Sequence, residues 1–466
     1  MKKHISQLFC QLFCQFFFQF AGKFIAFPLS VFIAFIMSSC SDDSYSDAVP
    51  ARSKAIIRTE FTSGDENAAR IVKTVFHAQP SDDCGIDFGE PAYFFVSPDG
   101  DFGLCMKVSD DDDLTEWLSS IRSKVKITSP EAFRDCHFSM IDGSWMVGYS
   151  KQSLLVLGPV APGTEADVRQ KLSKWFKQDE DDGIRANPMY DRLDSIKSST
   201  AMVAQADALP QQLVMPFMFG TPKGTDASKV IIEACVGKKN GVISFSGKTT
   251  SFIPRIKDAL RKSEAIYRPV KGRYVASMPD DAVAGFFVNV KGNDFLPVMQ
   301  ANSGAQMLLA GVNTAIDMDN IIRSIDGDMA IVMTSLSEKT SSMMMSAELS
   351  DSKWLSDVGY WKQSCPAGAR IADWKKNAFV FTNDNTTYCF GVSDDKQYFS
   401  GSSKQMAEAS VRPAEKPLPK NVQDLIRGQR FVLVLNMHGN NGSVVKAMTS
   451  VLTPMFGKFS TIVFSL

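Results

Sequence analysis

Two short motifs place residues at spacings that enzymes use for chemistry. Gly247-Lys248-Thr249 has the order that closes a phosphate-binding loop, but that loop also needs a glycine where Val242 stands. Ser443 and Lys446 have the Ser-x-x-Lys spacing by which a lysine one helical turn away activates a serine. The Lys-Thr-Gly strand that comes later in penicillin-recognising enzymes has its nearest counterpart earlier in this chain, at Lys339-Thr340-Ser341. We therefore interpret the first motif as a hairpin strand and the second as an exposed helix face.

Carboxylates cluster at three places in the chain. Asp110–Asp113 and Asp179–Asp182 offer the oxygen ligands that calcium prefers, but neither follows the alternating spacing of a calcium-binding loop. We interpret both as solvated loops or helix starts. Asp326 and Asp328 flank a glycine ahead of an apolar run, which indicates a tight turn into a strand and makes a weaker case for a metal site. The sequence therefore predicts no metal centre.

The histidines do not form a catalytic or metal-binding constellation with other residues. His77, His137 and His438 are scattered along the chain. Cys136 and His137 are adjacent, so on a strand their side chains would point to opposite faces and could not act as nucleophile and base. No Gly-x-Ser-x-Gly, His-Glu-x-x-His or glycine-rich dinucleotide motif occurs. The sequence favours a protein that is not an enzyme and that uses no cofactor.

An even number of cysteines follows Cys40, which permits disulfides in an oxidising compartment. Sequence alone cannot choose among the possible pairings, and an unpaired cysteine also serves as a small core hydrophobe. The residues concerned are Cys84, Cys105, Cys136, Cys235, Cys365 and Cys389.

The N-terminal stretch has the parts of a secretory signal. Lys2 and Lys3 precede an apolar core at 24–37, which is shorter than the ~20 residues that a membrane-spanning helix needs. Ser38 and Ser39 then lead to Cys40. This arrangement resembles a bacterial lipobox, in which the cysteine thiol is diacylated, the signal is cut before it, and the new terminus receives an acyl chain such as palmitate. The resemblance implies a signal peptide at 1–39 and lipid attachment at Cys40, since several acyl chains hold a protein stably on a membrane.

The residues around this motif leave one alternative open and suggest a cellular location. Met37 stands where a lipobox usually has leucine, and an uncleaved anchor over 8–37 is the other interpretation. The acidic tether over 40–48 begins with Ser41-Asp42-Asp43. It resembles the surface-export signal of Bacteroides-type lipoproteins. We expect an outer-membrane protein on the cell surface, with the periplasmic face as the alternative.

Charge and length bound the rest of the chain. Removing residues 1–39 leaves 427 residues with 47 basic and 51 acidic side chains, a net charge of −4. A mildly acidic chain lacks the electrostatic footprint of a nucleic-acid-binding protein. The length predicts two or three domains.

Apolar patterning predicts an α+β fold. Residues 92–96 and 102–108 are apolar runs on either side of a Pro-Asp-Gly turn, which indicates a β-hairpin. Asp113 and Glu116 have capping-box spacing at the start of a helix that carries Trp117.

The second half of the chain echoes the first. Pro50, Trp117 and Gly148 recur in similar contexts as Pro279, Trp354 and Gly391, at offsets of 229, 237 and 243 residues. We therefore predict an internal duplication, in which two related units of antiparallel sheet are flanked by helices. The predicted units cover 49–270 and 271–411, and a short C-terminal α/β module at 421–466 follows a Pro-rich linker.

A family resemblance rests on three segments. IIRSIDGDMAI at 321–331, AELSDSKWL at 347–355 and YCFGVSDDKQYFSGS at 388–402, together with the lipobox, resemble a family of Bacteroides-type lipoproteins. That family is defined by one large domain of unknown function. The resemblance implies a cellular location and an architecture. It identifies no catalytic residues.

One loop suggests a partner site. Residues 213–219 place Met215, Phe217, Met218 and Phe219 around a proline, and exposed apolar patches often mark binding surfaces. The alternative is that this loop covers the core between the two units. We expect binding or assembly at the outer membrane, through the N-terminal lipid and an unidentified protein or glycan. An envelope hydrolase with carboxylates gathered by the fold and a periplasmic chaperone with an apolar groove are the alternatives.

Overall fold

The computed structural model describes residues 43–61, 66–336, 341–384, 386–437 and 443–466, and Cys40 therefore lies outside the described residues. The described strands are β1 Ala55–Thr59, β2 Ala92–Val96, β3 Phe102–Lys107, β4 Glu131–Phe133, β5 Cys136–Ile141, β6 Trp145–Tyr149, β7 Ser153–Gly158, β8 Thr200–Gln205, β9 Ile231–Lys239, β10 Val242–Thr250, β11 Ala284–Lys291, β12 Ile325–Leu336, β13 Ser341–Leu349, β14 Arg370–Lys375, β15 Ala378–Thr382, β16 Thr387–Val392, β17 Gln397–Gly401, β18 Phe431–Asn436 and β19 Thr461–Ser465.

Helices connect these strands. The described α-helices are α1 Glu66–Phe76, α2 Asp111–Ile121, α3 Glu165–Trp175, α4 Pro188–Ser195, α5 Gln211–Val214, α6 Pro254–Glu264, α7 Gly292–Ala301, α8 Ser303–Asn313, α9 Met318–Arg323, α10 Val358–Gln363, α11 Lys404–Ala409, α12 Lys420–Ile426 and α13 Ser443–Phe456. In the part of the chain that the structure describes, no helix combines the length and the hydropathy needed to cross a bilayer.

The strands pair edge to edge into one sheet. Their spatial order is β4-β5-β6-β7-β3-β2-β1-β8-β9-β10-β19-β18-β11-β12-β13-β17-β16-β15-β14. Neighbouring strands are antiparallel, apart from the parallel pair β10 and β19. The predicted α+β class is confirmed as a mixed fold dominated by a large antiparallel sheet.

Two series of strands in this sheet have the same order. The first series is β4-β5-β6-β7-β3-β2-β1-β8-β9, and the second is β14-β15-β16-β17-β13-β12-β11-β18-β19. The strand β10 lies between the two series.

The register also agrees where the two series can be compared. Ala55 of β1 pairs with Val96, and Ala284 of β11 pairs with Met333. The residues just before these strands make matching bonds, Lys54 N to Val96 O and Val283 N to Met333 O, each 2.8 Å long. A one-residue slip would move every side chain to the other face, so this agreement fixes which positions of the two series correspond.

The Pro-rich segment expected as a linker is part of the packed fold. Pro417 forms a β-bridge with Pro279, as Gly183 does with Pro50 in the first half of the chain. Leu418 next to it is buried. The strands β18 and β19 that follow complete the second series, because β18 pairs with β11 and β19 pairs with both β18 and β10.

Hydrophobic clusters cover both faces of the sheet. Successive side chains of a strand point to opposite faces, and in β1 Ile57 belongs to one cluster whereas Ile56 belongs to another. The helices α1, α2 and α13 cover the first face, and α3 and α4 cover the second. Residues 44–466 form one compact unit that contains every cluster. This part of the chain therefore holds its own core, and we expect it to fold alone.

The connections that follow β8 and β18 cross to the other series. After β8, the Phe219 ring stacks on Phe286 of β11 with a centroid distance of 5.9 Å. After β18, α13 lies against α1, where Arg70 Nη2 donates to the carbonyl of Met455 at 3.0 Å. Each half of the sheet is therefore covered in part by a segment of the other half.

The start of α2 differs from the predicted capping box at Asp113. Asp110 is the N-cap, and its carboxylate accepts bonds from the N–H groups of Asp112 and Asp113 at 2.9 and 3.0 Å. An N-cap needs extended backbone, and Asp110 has it, with φ −152° and ψ 122°. Each Asp in the run offers the same carboxylate, so composition could not select which one caps the helix.

Candidate functional site

A cavity of about 470 Å³ lies between the sheet and the helices α1 and α13. Its floor comes from adjacent strands of the first series, with the apolar side chains Ala55, Ile57, Phe94, Val96, Phe102, Leu104, Ile141, Trp145 and Val156. Its roof comes from Thr74, Val75, Thr449, Thr453, Pro454 and Met455. We call this space the α1–α13 cavity.

Two cations hold the C-terminal end of the α13 roof in place. Arg70 of α1 donates to Met455 O at 3.0 Å, and Lys238 of β9 donates to Phe456 O. The last carbonyls of a helix have no partner within the helix and carry partial negative charge, so cations are favourable there. Burial, with the nearby positive charge of Arg70, lowers the pKa of Lys238.

A histidine and an aspartate pair at the mouth of the cavity. His77 follows α1, Asp142 lies in the turn between β5 and β6, and His77 Nε2 is 3.1 Å from Asp142 Oδ2. Their side chains are 56% and 48% exposed. Both residues have left-handed backbone, with φ of 54° and 50°. Such backbone is uncommon outside glycine and clusters at ligand clamps, so the mouth combines strained backbone with polar side chains.

The size and lining of this cavity suit a small apolar molecule. Ligand pockets measure about 300–1,000 Å³ and combine apolar walls with a few polar groups. The α1–α13 cavity matches this description, since its floor is hydrocarbon and its few polar groups stand in the roof and at the mouth. A second concavity, beside Pro216, Phe219 and Lys248, has about 20 Å³, which is room for a single water.

The loop predicted as a partner site packs inward in this structure. Phe217 is buried against Phe464, with ring centroids 4.5 Å apart. Phe219 stacks on Phe286, and Met215 and Met218 are half-buried. This placement agrees with the alternative interpretation, a cover between the two strand series, and partner binding by this loop stays a prediction.

The other residues singled out from sequence lie apart from the cavity floor. Gly247-Lys248-Thr249 belongs to β10 and pairs with β9, so it forms a strand and no phosphate loop. Cys136 is buried whereas His137 stacks on Tyr149, 5.2 Å between centroids. His438 lies outside the described residues. Over the described ranges, no group of His, Cys, Asp and Glu could hold a metal ion.

Asp328 has a structural partner set. Its carboxylate accepts from the backbone N–H groups of Lys271, Gly272 and Arg273 at 3.0, 2.7 and 2.9 Å. It also accepts from Asn289 Nδ2 at 2.8 Å. Because four donors already bind its oxygens, this carboxylate has a structural role.

The six cysteines expected to be able to pair are free thiols in this structure. Burial raises the pKa of four of them, which makes these thiols less reactive. The four are Cys84, Cys105, Cys136 and Cys389.

Sequence reasoning missed the cavity because its lining residues have no distinctive pattern. Val96 and Leu104 lie on strands that were predicted correctly, yet a side chain that lines a cavity is of the same type as one that fills a core. The roof adds a second obstacle, since α13 is more than 350 residues from α1 in sequence. His77 and Asp142 are the ionisable residues of the lining, and their pairing becomes visible only in the fold.

The fold and the cavity define a mixed α+β protein built on a large antiparallel sheet. The chain belongs to the family described as "Domain of unknown function (DUF4836)", whose model matches residues 50–421. No curated protein matches the chain.

Two solved structures, crystal forms III and I of TP0453, are similar to part of this chain. Each is 9% identical to this chain; they cover 77% and 79% of it and 97% and 95% of their own chains. Both have a TM-score of 0.25.

Proposed function

We propose that this protein is a binding protein that holds a small apolar molecule in the α1–α13 cavity. The observation that carries the proposal is a cavity of about 470 Å³ with an apolar floor and a polar mouth. Burying apolar surface contributes roughly 25 cal/mol per Å², so a ligand that fills this space gains most of its affinity from the floor. Such a lining suits a ligand less polar than the glycan expected from sequence.

Filling the cavity from within should abolish this binding. Val96 lines the floor, and a Val96→Trp side chain would occupy the space that the ligand needs. We expect residues 44–466 to bind the fluorescent probe N-phenyl-naphthylamine, and Val96→Trp to weaken binding by at least about tenfold, a loss of ~1.4 kcal/mol. Fluorescence titration measures both.

A matched control exists in the second strand series. Met333 occupies the position of β12 that corresponds to Val96, and it is not one of the residues that line the cavity. Met333→Trp should leave probe binding unchanged while it imposes a similar packing burden. Equal losses in the two variants, or no probe binding to the parent protein, would overturn the binding function.

The protein acts, in this proposal, from a lipid anchor at Cys40 on the outer membrane. The lipobox-like segment and the acidic tether support this location. In protease shaving of intact cells, the wild-type protein should be lost while a periplasmic control survives. Cys40→Ala should release the protein from the membrane fraction. Protection until the outer membrane is opened would place the protein on the periplasmic side.

The architecture arose, in the same proposal, by internal duplication. Two nine-strand series with the same order and matching registers support this origin. Under this proposal the second unit ends with β18 and β19, which correspond to β8 and β9, and 421–466 belongs to it. A fragment that ends at residue 411 should then fail to fold, because β11 would lose its β18 partner; cooperative unfolding of that fragment would contradict the proposed boundary.

A further inference from the structure

We propose that the ligand of the α1–α13 cavity is a single-chain amphiphile: one long hydrocarbon chain in the cavity and one polar head at the His77–Asp142 mouth. This inference rests on the proposed binding function and names the chemical class of the ligand.

The shape of the cavity points to a single chain. Its lining residues come from six adjacent strands, β1-β2-β3-β7-β6-β5. At about 4.8 Å between strands, these cover a distance of about 24 Å. A volume of about 470 Å³ spread over that length makes a long and narrow space. A peptide helix, about 10–12 Å across, is far too wide, whereas one extended hydrocarbon chain fits.

Polarity changes from one end of the cavity to the other. Ile57, Phe94 and Leu104 of the floor are buried and offer no hydrogen-bonding group. His77 and Asp142 at the mouth are exposed. A polar head placed on the floor would lose its hydrogen bonds to water without replacement, so the chain must enter first and the head must stay at the mouth.

A lysine next to the roof favours a head group with hydrogen-bond acceptors. The Asp142 carboxylate is already paired with His77. Lys446 is exposed and lies three residues before Thr449 on α13, a spacing that places the two on one helix face. Carboxylate and phosphate ester heads share this acceptor chemistry, so a free fatty acid and a lysophospholipid are the two sources to distinguish.

Competition against N-phenyl-naphthylamine bound to residues 44–466 tests the inference. Saturated fatty acids of increasing length should displace the probe with affinity that rises about fourfold per methylene. The rise should stop near the capacity of the cavity, at roughly 18 carbons, since a 150 Å³ cavity holds one benzene. Lysophosphatidylcholine of matched chain length is the second arm, and tighter displacement by it would identify a phospholipid source.

Cholesterol and a two-chain phosphatidylcholine serve as negative arms. The single-chain assignment would be overturned if cholesterol displaced the probe as effectively as palmitate does, or if affinity did not depend on chain length. In that case, probe binding that is weakened by Val96→Trp would still support an apolar site. Absence of probe binding would instead remove the proposed function itself.

The orientation of the chain has its own measurement. Trp145 lines the cavity three residues from Asp142, close to the mouth. Fatty acids brominated near the carboxylate should quench its fluorescence more strongly than those brominated near the methyl end, with Trp145→Phe identifying the contribution of this residue. The reverse order would place the head inside and contradict the proposal.

Lys446→Ala should weaken binding of the carboxylate more than binding of the matching alcohol; equal weakening would overturn the assigned head chemistry.

Discussion

Asp328→Ala is expected to lower the free energy of unfolding by about 3–5 kcal/mol, because it removes the acceptor of four hydrogen bonds. The side chain is 2% exposed. Its loss would leave the N–H groups of Lys271, Gly272 and Arg273 and the amide of Asn289 without that acceptor, in a place that water reaches poorly. Urea denaturation followed by circular dichroism measures the change.

A neighbouring carboxylate gives the matched control. Asp326 lies two residues earlier on β12, is 45% exposed and pairs with Arg268 at 2.8 Å. Exposed ion pairs contribute about 0–1 kcal/mol, so Asp326→Ala should cost much less than Asp328→Ala. Equal costs would mean that the backbone contacts of Asp328 contribute little, and that the segment 271–273 is held by other interactions.

The contrast between these two carboxylates illustrates what sequence could not provide. The Asp-Gly-Asp pattern predicted a turn with a weak case for a metal. The structure places both residues at the start of β12, where Asp328 is satisfied by backbone N–H groups from 271–273. Backbone donors leave no trace in sequence, and they satisfy a buried carboxylate as well as a cation does.

Local chemistry made other features predictable. The Pro-Asp-Gly turn between β2 and β3 was foreseen because turn residues and alternating apolar positions act over a few residues. Gly148 and Gly391, noticed as an echo, pair with β7 and β17 at corresponding positions. Their neighbours explain the choice of glycine, since a Cβ at Gly148 would meet the Phe138 ring at 2.8 Å, and one at Gly391 would meet Ala378 Cβ at 2.7 Å.

Long-range arrangement was the part that sequence left open. The pairing of β10 with β19 joins residues about 220 positions apart, and the exchange of connections between the two series joins Phe219 to Phe286. Contacts of this kind depend on the total hydrophobic area buried and on register. Neither appears in a window of ten residues, which is why the cavity under α13 could be found only in the fold.

Alkaline pH is expected to unfold this protein cooperatively, through tyrosines that are buried as neutral phenols. Burial raises the pKa of five of these residues above the ordinary value of 10.0; they are Tyr149, Tyr267, Tyr274, Tyr388 and Tyr398. Below pH 10 both states keep these protons, so stability is unaffected. Above it the unfolded state loses them first and binds fewer protons, so the free energy of unfolding falls with rising pH, by about 1.4 kcal/mol per unit of pKa difference.

Tyr274 allows a clean test of this linkage. Its hydroxyl has no hydrogen-bond partner among the described residues, so Tyr274→Phe removes an ionisable group without breaking a bond. We expect this variant to unfold at a higher pH than the wild type, with phenolate absorbance and near-UV circular dichroism changing together. Tyr360→Phe is the control, because that ring is 71% exposed and its removal should leave the alkaline midpoint where it was. If phenolate absorbance rose fully before the fold opened, or if Tyr274→Phe left the midpoint unchanged, burial of these phenols would not be what limits stability at high pH.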